Sequence, residues 1–314
     1  MPSGISVTHG LVRAAALCAM TLLGGCDLTV LDPHGQVGVE EKSIIITATA
    51  LMLIVVVPVI IMVFAFAWRY RSSNIKATFA PDWAHSGKIE AVVWVVPCII
   101  IAILASLTWT SSHRLDPYRH IASTAEPINI EVVSLNWKWL FIYPDLHIAS
   151  VNQIAFPTGV PVNFSLTSDS IMNSFFIPQL GGQIYTMAGM DTKLSLIADA
   201  PGSYDGASAN YSGAGFSDMK FTAIATDKDG FAKWVAQVKA SPTTLGPDSY
   251  RLLTEPSEKN PVAYFSNVDA TLYHDILNQC VGDANRCMDM KMKMTMAPDS
   301  HAAMVMSPGP NSRD

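Results

Sequence analysis

The pattern of apolar and polar positions changes character three times along the chain. Residues 1–25 carry Arg13, an apolar run over 14–23 and then Gly24-Gly25-Cys26, the short core and small-residue exit of a secretory signal. That run is too short to span a bilayer. Residues 44–68 then give 25 positions without a charge and residues 91–110 another 20, each long enough to cross a hydrocarbon core of roughly 30 Å. The first holds 15 Ile, Leu, Val and Phe side chains. At about 0.4 kcal/mol apiece they favour insertion by ~6 kcal/mol, enough to tolerate Pro58. Pro97 in the second run is tolerated for the same reason. The pattern predicts a two-helix membrane hairpin.

From residue 111 onward the period shortens. Strand-like runs recur at 128–135, 137–143, 162–167, 174–177, 193–198 and 219–225, separated by turn signals such as Tyr143-Pro144-Asp145, Gly181-Gly182 and Ala200-Pro201-Gly202. No ten-residue helical pattern alternates with them, so residues 111–228 read as an antiparallel sandwich or barrel rather than an α/β sheet. Phe231, Trp234, Val235 and Val238 then fall at helical spacing, and 269–280 reads as a second helix. Residues 229–287 are thus expected to be a helical extension capping one edge. Residues 288–314 hold seven methionines, five of them alternating from Met288 to Met296, among Pro, Ser and Gly. They read as a disordered tail; a thioether tail that scavenges Cu(I) is the rival, with only His301 to assist it.

Charge fixes the topology. The loop 69–90 has four basic residues against two acidic ones, whereas 26–43 has Lys42 against four acids, so the loop is expected in the cytoplasm. Cys26 and everything after residue 111 then lie in the periplasm of a bacterial inner membrane. Leu23-Gly24-Gly25-Cys26 resembles the lipobox of bacterial lipoproteins, which makes Cys26 a lipidation site; an ordinary signal with an incidental Cys is the alternative. Overall, 20 Lys+Arg against 26 Asp+Glu give a net charge of −6, which excludes nucleic acid as a partner. Cys280 and Cys287 are a candidate disulfide in an oxidising compartment. Cys98 is an apolar filler in the membrane.

The hairpin, the β domain and the stretch Asn136-Trp137-Lys138-Trp139-Leu140-Phe141-Ile142-Tyr143 resemble subunit II of haem-copper terminal oxidases. The resemblance implies a cupredoxin-like β-sandwich. In the cytochrome c branch that sandwich binds two coppers through a His in a His-Ser-Trp-like strand and a Cys-x-Glu-x-Cys-x3-His-x2-Met loop. Here Asn173 stands at the first His, Ser208 and Ser212 at the thiolates, Asn210 at the Glu and Phe216 at the second His; Met219 alone matches. No His lies between residues 148 and 273 and no Cys between 99 and 279, so no shifted alignment supplies the ligands. Hydroxyls, amides and an arene offer neither the charge nor the softness that a copper pair needs.

Loss of copper on this scaffold resembles the cytochrome bo-type ubiquinol oxidases. Leu31-Asp32-Pro33, Asn173-Ser174-Phe175-Phe176-Ile177-Pro178 and Ser212-Gly213-Ala214-Gly215-Phe216-Ser217-Asp218-Met219 carry that similarity. It implies a proton-pumping complex in which haem b, haem o or a, CuB and the quinol site belong to subunit I, with subunits III and IV and membrane lipid as further partners and cytochrome c absent. This chain would hold no cofactor of its own. Glu90, in Lys88-Ile89-Glu90-Ala91, matches the family's carboxylate at the cytoplasmic mouth of a proton path, and this match favours proton entry over a carboxylate placed only by the helix dipole. Trp137 matches an aromatic of the electron path, but without copper behind it core packing is preferred. A copper-binding membrane lipoprotein or chaperone, resting on the Met-rich tail, is the alternative function.

Overall fold

The computed structural model describes residues 28–78, 82–283 and 287–288. Cys26, the signal over 1–25 and the tail beyond Met288 lie outside the described residues. Two long helices, α1 (Gln36–Arg69) and α2 (Gly87–Arg114), are long and apolar enough to cross a membrane. Each outruns its charge-free stretch, because apolar length measures only the hydrocarbon crossing, while backbone hydrogen bonding continues into the polar flank. Glu40 and Arg114 form an ion pair at 3.2 Å between those flanks.

The outer domain is a two-sheet sandwich. One sheet runs β12-β3-β2-β1-β5-β8 and the other β4-β10-β9-β6-β7. Their strands are β1 (Ile128–Leu135), β2 (Lys138–Tyr143), β3 (Ile148–Val151), β4 (Gln153–Pro157), β5 (Val162–Ser168), β6 (Asn173–Phe176), β7 (Ile184–Thr186), β8 (Thr192–Leu196), β9 (Gly202–Ser208), β10 (Lys220–Thr226) and β12 (Ala263–Phe265). The sheets are mixed rather than antiparallel throughout: β1 pairs parallel with β5, and β4 with β10. Parallel pairing needs a long crossover. Here strands β2–β4, not a helix, provide the one from β1 to β5, so a lack of alternating helices did not exclude it.

The extension is not wholly helical, contrary to expectation. It contains α3 (Lys228–Lys239), α4 (Pro247–Thr254), a shortened α5 (Leu272–Leu277), the edge strand β12 and a small pair of β11 (Thr244–Leu245) with β13 (Asn267–Val268). Asp227 caps α3 by accepting from the Gly230 N–H at 2.7 Å. Strands of two or three residues leave no period to detect.

Two cores result. Between the sheets lie Trp139, Phe141, Phe156, Phe164, Phe175 and Phe221. On the outer face of the larger sheet, Val133, Leu135, Leu140 and Ile142 are covered by Tyr250, Leu272, Tyr273 and Ile276 of the extension. That second layer explains why β2 is apolar at successive positions: every residue of the strand is buried.

Candidate functional site

The six positions that the resemblance sets at copper ligands lie where β6, β9 and the following loop converge. Antiparallel pairing sets Phe175 opposite Ser208, which brings Asn173 of β6 beside the end of β9. The Ser208 hydroxyl donates to Asn173 Oδ1 at 3.1 Å and lies 3.2 Å from the Asn210 carbonyl. Asn173 Nδ2 donates to the Ile171 carbonyl at 3.0 Å, and Asn210 Nδ2 to the Met172 carbonyl at 3.1 Å. Asn173, Ser208, Ser212 and Met219 are buried, whereas Asn210 and Phe216 are half-buried. Met219 packs in the inner core, and the Phe216 ring meets Tyr211 at 5.6 Å between centroids.

Trp137 closes this loop from outside. Its backbone is left-handed (φ 63°), a conformation uncommon outside glycine. Its indole N–H donates to the Ser212 carbonyl at 3.1 Å. A Cβ on Gly215 would stand 2.5 Å from the indole, so only glycine admits this approach. The packing role expected of Trp137 therefore includes holding the loop. The hydroxyl of Ser212 is buried and, among the described residues, has no hydrogen-bond partner; the same holds for Trp139 Nε1.

Glu90 occupies the first turn of α2, exposed, where it accepts from the Ser86 N–H at 3.4 Å. Its carboxylate also pairs with His85 Nδ1. Sequence reasoning missed His85; its position just before the helix, five residues from Glu90, was the available signal. Glu90 and the ligand-like loop are separate features, one at the start of a long helix and the other in the sandwich.

Two further titratable groups were not anticipated. Lys138 is buried and donates through Nζ to the Glu255 carbonyl at 2.9 Å and to Ser257, pinning the extension to β2. Burial pushes its pKa down, with Glu255 opposing. Glu131, on the outer face of β1, is pushed up to about 7 by burial first and then by Asp191, with Lys193 opposing and Asp145 adding to the rise. Both sit at positions that a strand pattern alone assigns to a solvent face.

Cys280 and Cys287 are joined by a disulfide, with Cα atoms 4.8 Å apart. With Asp275 they form a cluster of metal-ligating types among the described residues, but both sulfurs are engaged with each other.

The COX Aromatic Rich Motif family matches residues 239–284, within the extension that follows the β-sandwich. The chain is 61% identical over 264 residues to cytochrome bo(3) ubiquinol oxidase subunit 2 of Pseudomonas aeruginosa, covering 84% of this chain and 80% of that one. It is 51% identical over 267 residues to ubiquinol oxidase subunit 2 of Acetobacter aceti, covering 84% and 87%. Among solved structures, the periplasmic domain of subunit II of the cytochrome oxidase of Bradyrhizobium japonicum aligns at 20% identity with 37% of this chain and 96% of its own, with a TM-score of 0.35. The chain belongs to the ubiquinol oxidase subunit 2 family of haem-copper oxidases. These relatives lend no support to a copper-binding lipoprotein or chaperone.

Proposed function

We propose that this chain serves a proton-pumping ubiquinol oxidase as a subunit without a redox centre, supporting subunit I and gathering protons at Glu90. The observation that carries the copper-free part is the bond between Ser208 and Asn173 at 3.1 Å. A ligand set holds its lone pairs ready for the ion; here they are tied into the protein's own hydrogen bonds. Ser212, whose hydroxyl has no partner among the described residues, offers a neutral, hard oxygen rather than a thiolate. Haem b, haem o or a, CuB and the quinol site belong on this reading to subunit I, with subunits III and IV as neighbours and cytochrome c excluded as donor.

The charge bias of the loop 69–90 supports a cytoplasmic Glu90 and a periplasmic sandwich, anchored in the inner membrane by two spans and by lipid on Cys26. An exposed carboxylate beside an imidazole attracts protons and exchanges them with water, as a proton-collecting entry requires. Purification of the complex tests the assignment. It should oxidise ubiquinol with oxygen, and its copper per haem should not change when Ser208 and Ser212 are both replaced by Ala. A fall in copper would overturn the copper-free reading. Cys26→Ala should lose fatty-acid labelling and stay in the membrane.

A further inference from the structure

The domain-side ends of α1 and α2 and the rim of the sandwich enclose a cavity of about 860 Å³. Trp109 and Thr110, the last residues of the second charge-free run, stand in its wall, so it opens at the level of lipid headgroups rather than acyl chains. Its walls differ in charge. α1 contributes Glu40 and Glu41, while the last turn of α2 and the segment after it contribute His113, Arg114, the acidic Asp116 and, further on, Arg119 and His120.

Glu40 and Arg114 neutralise each other at 3.2 Å. Glu41, half-buried and held by the Gly182 backbone N–H, and Arg119, exposed, form no ion pair among the described residues. His120 Nδ1 lies 3.3 Å from Asn163 Oδ1 and His113 Nδ1 lies 2.8 Å from the Trp109 carbonyl, which leaves the Nε2 of each ring uncommitted. Asp116, also in the lining, accepts from the Tyr118 N–H at 3.0 Å, which leaves the Glu41 carboxylate on one wall and the Arg119 guanidinium on another to face a ligand that carries both charges.

We propose that this cavity holds the headgroup of a phospholipid bearing a primary ammonium, with its phosphate toward Arg119 and His120 and its ammonium toward Glu41. An arginine fork suits phosphate oxygens, and a primary ammonium can donate hydrogen bonds to a carboxylate where a quaternary one cannot. An anionic headgroup without an ammonium would leave Glu41 uncompensated. The exposed apolar side chains of α1 and α2, among them Ile45, Ile46 and Ile103, continue toward the bilayer and provide a surface for the acyl chains. The inference rests on the two helices crossing a membrane and on the cavity being open to lipid rather than filled by a neighbouring subunit, and it is independent of the role given to Glu90.

The test is native mass spectrometry of the delipidated oxidase complex, with phosphatidylethanolamine, phosphatidylcholine, phosphatidylglycerol or inorganic phosphate added as separate probes. The wild-type complex should retain phosphatidylethanolamine about tenfold more tightly than the Glu41→Gln, Arg119→Ala variant, and the other three should not compete. Arg119→Lys, which keeps the charge, should retain most of the binding and guards against failure of the double variant to assemble. Equal retention by wild type and double variant, or a preference for phosphatidylglycerol or phosphatidylcholine, would overturn the proposal. So would an Arg119→Cys cross-link into a neighbouring subunit at full yield, since protein would then fill the cavity.

Discussion

The hydroxyl of Ser208 donates to Asn173 Oδ1 across 3.1 Å, joining the two side chains that the resemblance to the copper-binding branch sets at its first thiolate and first imidazole. Two strands bring them together: β6 and β9 pair with Phe175 opposite Ser208. The two side chains are therefore held against each other by the pairing of β6 with β9.

That register makes a gain of function testable. Replacing Asn173 by His, Ser208 by Cys, Asn210 by Glu, Ser212 by Cys and Phe216 by His, beside the existing Met219, should create a copper centre with visible charge-transfer absorption. Ser208→Cys alone should not, because one thiolate without imidazole partners does not hold the pair. A folded five-site variant that takes up no copper would show that the loop places its side chains differently.

Gly215 should resist enlargement. A Cβ there would stand 2.5 Å from Trp137, so Gly215→Ala must displace the indole and break its bond to the Ser212 carbonyl. Overpacking of this kind costs about 1–3 kcal/mol. A lowered Tm and a red-shifted tryptophan emission should accompany it, whereas Ala at Gly246, where a Cβ meets nothing within 4 Å, should leave the emission unchanged.

The hairpin was legible because insertion depends on composition alone, and six of the sandwich strands were legible because their apolar runs are bounded by turns. β9 was not: Gly202-Ser203-Tyr204-Asp205-Gly206-Ala207-Ser208 has no apolar alternation and is placed by its partners β6 and β10. The parallel pairs were hidden because a crossover built of strands leaves no helical period. Within the candidate site, the positions were named from a family resemblance, whereas the pairing of β6 with β9 that brings Asn173 beside Ser208 carries no signal in the sequence. The partner of Glu90 could not be read either, since a lone His beside a helix start carries no pattern, and the coupling of Glu131 to Asp191 depends on strands far apart in sequence.

Glu131 should make stability fall as pH rises. Its folded pKa of about 7 lies above the ordinary carboxylate value of 4.5, so between these limits the folded chain binds more protons than the unfolded one. Stability from this group is then highest at or below about pH 4.5, declines through the interval and levels off above about pH 7. Allowing for solvent screening, the total is about 1–2 kcal/mol. Glu131→Gln should remove that slope and raise Tm at pH 8, read as the difference between variant and wild type across pH 4.5 to 8. An unchanged slope would mean that Glu131 titrates normally.

Glu90→Ala should leave assembly and haem content intact while slowing oxygen consumption per haem, and Glu90→Asp should be milder. The carboxylate sits exposed on the first turn of α2, paired with His85 and accepting the Ser86 N–H. A negative group at a water-facing entry raises the local proton concentration and provides an exchangeable site, neither of which Ala supplies. Were Glu90 only a helix-start residue, its loss would cost about 0.3–1 kcal/mol through the dipole and leave turnover per assembled complex untouched. His85→Ala separates the two further. It removes the imidazole and spares the carboxylate, so turnover should fall less than in Glu90→Ala. Turnover of Glu90→Ala that matches wild type from pH 6 to 9 would refute the proton-entry role.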